Sequence, residues 1–129
     1  MDKLKKNQIL DLLEQDANIL FIKIGKELIG DSAFMHHNEK ELIDLARSWL
    51  KRNKQKILEL ICEDEKIIKL YKPLMDNTTK VQLVVAIFDL ISGVLIGVSP
   101  LVVSTLLVKY GIENFCQEGY EGHEFGTNK

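Results

Sequence analysis

The chain has 129 residues, 46% of them hydrophobic and 28% charged, with 17 Lys and Arg against 19 Asp and Glu for a formal net charge of -2. That composition suits one compact domain with a real core, and it excludes both a chain disordered throughout and a strongly basic one held to nucleic acid by charge alone. With only 8 Gly, 2 Pro and 7% aromatic residues, it also argues against a many-turned sandwich or barrel and for helices.

In chain order, Ile9, Leu10, Leu13, Ala17, Leu20, Phe21, Ile24 and Leu28 recur at the three-and-four spacing of one helical face. Ile19 to Ile24 is also rich enough in β-branched and aromatic residues for a short strand. Asn18 offers a cap, so residues 7 to 29 make either one helix or two broken near Asp16. Turn formers follow at Gly30, Asp31 and Ser32, and Asn38 with Glu41 three positions on makes a capping-box pair that starts the next helix. From there Leu42, Leu45, Ala46, Trp49, Leu50, Ile57, Leu60 and Ile61 keep helical register. The pattern runs on through Ile67, Ile68 and Tyr71 to Lys72, with a restart available at Glu63, Asp64 and Glu65, and Pro73 ends it.

Asp76, Asn77 and Thr78 offer N-caps to the segment from Val81 to Val108, where Gln82 and Asp89 are the strongly polar residues and no charge occurs after Asp89. Gly97, Ser99 and Pro100 interrupt it in the order stop, cap, first turn, as expected where one helix ends and another begins. The prediction is an all-α bundle of five or six helices over residues 1–116, in which the outer helices each bury one stripe around an apolar helical hairpin at 81–116. The hairpin is read as apolar all round, so charges placed at Val94 or Leu106 are expected to cost several kcal/mol. Residues 117–129, with Gly119, Gly122 and Gly126 among acidic residues, read as a flexible tail in which Tyr120 and Phe125 could dock a partner.

The hairpin bears most on function. Each half, at about 16 residues and about 24 Å, falls short of the about 30 Å of a hydrocarbon core, whereas one unbroken helix from Val81 to Val108 would span it. Asp89 weighs against lipid and for a protein core, where it would need a hydrogen-bond donor, a basic partner or a proton. Gly93 and Gly97 form a GxxxG that, with Ala86, lays a strip of small side chains along one helix face, suited to close packing within the hairpin or against a second copy. Arg47, Lys51, Arg52, Lys54 and Lys56 place five positive charges within ten residues, which would suit a phosphate backbone or anionic headgroups but is more commonly a solvated helix face. Trp49, in register with Leu42 and Leu45, counts as core.

Signals for catalysis are thin. His36 and His37 are adjacent, so on a helix they point about 100° apart and do not share a metal as an i, i+4 pair would. With His123 in the tail and no neighbouring thiol, no metal site is expected. Cys62 and Cys116 belong to no CxxC and are too few for a secreted scaffold, so they read as reduced thiols in a cytosolic protein. Asp11, Glu14 and Asp16 interrupt the apolar positions after the basic N-terminus, and no signal peptide is expected. Gly30, Asp31 and Ser32 resemble the Gly-Asp-Ser nucleophile block of a large hydrolase family over those three residues. No Asp-x-x-His follows to activate the serine, and the chain is too short for that family's sheet. In the absence of a P-loop, a Rossmann glycine pattern or paired catalytic carboxylates, no enzyme, cofactor or small-molecule substrate is expected. The expected function is a non-catalytic helical interaction subunit or regulator of a larger cytosolic assembly, binding a protein partner or a second copy through an apolar surface large for so short a chain. The alternatives are a membrane-active or membrane-anchored protein using 81–108 and, ranking lower, a nucleic-acid accessory subunit using 47–56.

Overall fold

In the computed structural model, which describes residues 3–30, 37–71, 75–95, 97–112 and 114–116, short polar side chains decide where the helices start. Asp16 opens α2 (Ala17–Ile29), its carboxylate accepting from the Asn18 amide at 2.8 Å, and so separates it from α1 (Lys3–Glu14). The break thus falls at Asp16 with Asp16, not Asn18, as the cap, and Ile19 to Ile24 is helical. The capping box forms as expected at α3 (Glu39–Ile61): the Glu41 amide donates to Asn38 Oδ1 at 2.8 Å and the Asn38 amide to Glu41 Oε1 at 3.1 Å. Asp64 caps α4 (Glu65–Leu70), Asp76 caps α5 (Asn77–Ile91) and Ser99 caps α6 (Pro100–Tyr110), which has Pro100 in its first turn. Ile112 and Asn114 to Cys116 add a last helical turn, and no strand occurs among the described residues.

The core is built around α6, on which every residue from Leu101 to Val108 is buried, with α1, α2 and α5 packed against it. Two of those buried residues are polar, and both are satisfied within the helix. The Ser104 hydroxyl donates to the Pro100 carbonyl at 2.7 Å and that of Thr105 to the Leu101 carbonyl at 2.9 Å, so neither needs a partner from another element. Both ends of α6 are tied to the outer layer. The Ser99 amide donates to Glu27 Oε1 at 2.8 Å, and Lys109 Nζ donates to the Leu13 carbonyl at 2.8 Å, placing a cation at the electronegative end of α1.

The hairpin is not apolar all round, because α5 keeps a polar side. Only α6 is surrounded; α5 buries Val81, Leu83, Val84, Ala86, Ile87 and Ile91 but exposes Gln82 and Asp89. Seven residues apart, those two lie two turns from one another on a single helical stripe, so Asp89 faces solvent and is not the buried acid expected from the sequence. Asp89→Leu is accordingly expected to move the unfolding free energy by no more than about 0.5 kcal/mol, measured from the urea midpoint; a loss above about 2 kcal/mol would mean that the carboxylate holds a structural contact. Helix α5 also stops earlier than expected. It ends at Ile91, whose carbonyl accepts from the Val94 and Leu95 amides, and Gly97, at a φ of 92°, lies in the connecting loop rather than at the helix end.

Helix α3 has two buried patches, Leu42, Ala46, Trp49 and Leu50 and then Ile57, Leu58 and Ile61, with none of residues 51 to 56 buried between them. It packs on α2 and on α5. At the α2–α3 crossing the backbones come close at Gly25, where a methyl group would overlap the Leu42 carbonyl oxygen. Cys62, at the end of α3, and Cys116, in the last helical turn, have Cα atoms 5.8 Å apart and form a disulfide across a sequence separation of 54; they are not the free thiols read from the sequence.

Candidate functional site

A helix of six residues has little room for two adjacent isoleucines on its buried side. In α4 Ile67 is buried at 1% exposure and its neighbour Ile68 is 58% exposed, one of two large apolar side chains left open among the described residues, the other being Ile19. Ile68 does not stand alone. The end of α3 contributes Ile61 and Cys62, the chain after α4 contributes Tyr71, and the last turn contributes Ile112 and Cys116; with Ile67 and Ile68 they line an open groove of about 200 Å³. The walls are aliphatic, aromatic and disulfide, a surface that can shed water onto an apolar partner group and has few polar atoms to desolvate in doing so. The disulfide is part of the wall, where it joins the final turn to the end of α3.

The residues singled out from the sequence lie elsewhere. Ala86 is buried on α5, whereas Gly93 and Gly97 are exposed in the α5–α6 connection with nothing within 4 Å of where a side chain would begin. The GxxxG therefore does not lie on one helix face, and the close backbone approach that it suggested occurs at Gly25. Asp89 is exposed on α5. Tyr120 and Phe125 lie outside the described residues, as do His36 and the Asp31 and Ser32 of the Gly-Asp-Ser run.

The basic cluster is divided by helix geometry. Arg47, Lys51 and Lys54 follow one stripe of α3, while Arg52 and Lys56 lie about a quarter of a turn or more around it. Arg47 is half-buried with its guanidinium 5.1 Å from the Phe21 ring, so it belongs to the α2–α3 packing. Lys51, Arg52 and Lys56 are exposed and Lys54 is half-buried. Trp49 is buried, as expected, and its carbonyl accepts from the Asn53 side chain at 2.8 Å.

Two other depressions are more polar. One, between the end of α1 and the start of α5, includes Glu14, Lys80 and Lys109, and the Lys109 ammonium there is already engaged with the Leu13 carbonyl. The other is a shallow surface along α3 beside His37, Glu41 and Asp44. Among the described residues no three His, Cys, Asp or Glu side chains gather as a metal would require, and no helix is long and apolar enough to cross a membrane.

The groove was missed because helical periodicity counts Ile67, Ile68 and Tyr71 alike as core. The one signal in its favour is the acidic restart at Asp64, which leaves α4 too short to bury them all. In comparisons with protein-family models, curated proteins and solved structures, nothing matches this chain.

Proposed function

We propose that the protein is a non-catalytic helical interaction subunit or regulator, and that it docks a protein partner through the groove beside α4. The observation that carries this reading is Ile68, 58% exposed at the rim of an apolar groove, when among the described residues Ile19 is the one other large apolar side chain left exposed. An aliphatic side chain ringed by apolar walls is the kind of anchor on which binding energy concentrates when a partner excludes water from it. The cytosolic setting expected from the sequence rested on reduced thiols and on the lack of a signal peptide; with Cys62 and Cys116 bonded, the first of those supports falls away.

The test compares the tagged chain with its Ile68→Asp variant. Since Ile68 is exposed, the substitution is expected to change stability by no more than about 0.5 kcal/mol, while a carboxylate facing an apolar partner weakens binding about tenfold or more, equivalent to about 1.4 kcal/mol. The reading predicts a partner protein retained by the parent and lost from a variant of equal melting temperature. The same proteins retained by both chains in equal amount would remove the groove from the interaction.

A further inference from the structure

We propose that Cys62 and Cys116 are a thiol–disulfide exchange site, opened and closed in the folded protein by an external dithiol. Access comes first: both cysteines are half-buried and both line the open groove, so an attacking thiolate can reach the bond without unfolding of the bundle. The second observation is that each cysteine is held by contacts that do not need the bond. The Cys62 amide donates to the Leu58 carbonyl at 3.0 Å, continuing α3. The turn that carries Cys116 is anchored by Ile112 and Phe115, 6% and 1% exposed, and the Phe115 amide donates to the Gly111 carbonyl at 2.9 Å. Opening the bond therefore loosens one wall of the groove and leaves the core in place.

The exchange balances without a cofactor. A thiolate of the dithiol attacks one cysteine sulfur, breaking the Cys62–Cys116 bond, forming a mixed disulfide and releasing the other cysteine as a thiolate that takes up a proton. The second thiol of the reagent, deprotonated, then attacks the mixed disulfide. The dithiol leaves as a cyclic disulfide, and two electrons and two protons remain on the protein as two thiols. The docking surface would then follow the redox state, a consequence that rests on the interaction reading above, whereas the exchange itself is measured with no partner present and stands or falls separately.

The experiment treats the oxidised full-length chain with dithiothreitol without denaturant, quenches with acid at intervals, alkylates and reads the intact mass, with circular dichroism on the same samples. The expected result is release of both thiols at a rate proportional to dithiothreitol and insensitive to low urea. The helical signal should be retained, and the melting temperature should fall by about 10 °C as the constraint on the unfolded chain is lost. Oxidised dithiothreitol should close the bond again, and Tyr71→Ala, which widens the groove, should speed opening severalfold. The Cys62→Ser, Cys116→Ser double variant should keep the helical spectrum. The proposal is overturned if thiols appear only at urea concentrations that unfold the chain, if the rate levels off at the rate of global unfolding, or if the reduced protein or the double-serine variant loses its helical signal.

Discussion

Leu106→Lys is expected to unfold or precipitate the chain at room temperature, whereas Val94→Lys should leave a folded protein with a melting temperature close to that of the parent. Leu106 is 1% exposed at the middle of α6, the helix that α1, α2 and α5 enclose. An ammonium there has no carboxylate to pair with on its own helix, whose buried Ser104 and Thr105 hydroxyls already donate to backbone carbonyls. Burying a charge without a partner costs about 5 kcal/mol, a large part of the 5–15 kcal/mol that keeps a domain of this size folded. Val94, by contrast, is half-buried in the turn after α5, where a lysine stem can lie along the surface with its charge in water. Thermal melts followed by circular dichroism decide the matter, and a Leu106→Lys variant as stable as the parent would take α6 out of the centre of the fold. The equal sensitivity of the two positions expected from the sequence is thus replaced by a sharp difference.

Gly25→Ala should destabilise the protein by about 3 kcal/mol, against the ordinary trend for a helical glycine. Replacing glycine by alanine within a helix normally gains about 1 kcal/mol through propensity. At Gly25 the added methyl would overlap the Leu42 carbonyl oxygen, which is backbone and cannot rotate aside, so α2 and α3 must separate along the contact they share. Gly93→Ala supplies the control, because nothing lies within 4 Å of that position and its φ is not positive. The sign is the diagnostic: denaturant midpoints should fall for Gly25→Ala and stay level or rise for Gly93→Ala, and a stabilised Gly25→Ala variant would mean that the two helices do not meet there.

How much of this could be read beforehand depends on how far apart in the chain the deciding groups lie. The Asn38–Glu41 box, the Ser99 cap with Pro100 after it, and the restart at Asp64 each involve groups within three residues, and their chemistry is local. Helical periodicity likewise places Leu42, Ala46, Trp49, Leu50, Ile57 and Ile61 on the buried side of α3, while Leu45 and Leu60 from the same pattern are half-buried and Leu58, outside it, is buried. The exposure of Asp89 follows from spacing as well: seven residues from Gln82 place both on one stripe of α5 whatever their immediate neighbours are. Hydropathy along the chain treats Ile87, Phe88 and Leu90 as surroundings of Asp89, whereas a helix turns about 100° between one residue and the next and puts them on other sides.

Which surfaces meet is a matter of packing. An apolar side chain states that it prefers burial but not against what, so periodicity and capping specify an all-α chain with amphipathic helices and a strongly apolar last third, and no more. Whether α5 or α6 lies at the centre, whether the small residue at a helix crossing is Gly25 or Gly93, and which of Ile67 and Ile68 is left in solvent follow from the packing of whole helices, where space is shared among elements far apart in sequence. The pairing of Cys62 with Cys116 is the clearest case. No spacing rule joins residues 54 positions apart; they meet because the chain, after crossing the core as α6, returns to the end of α3, and only there do their Cα atoms come within the reach of an S–S bond.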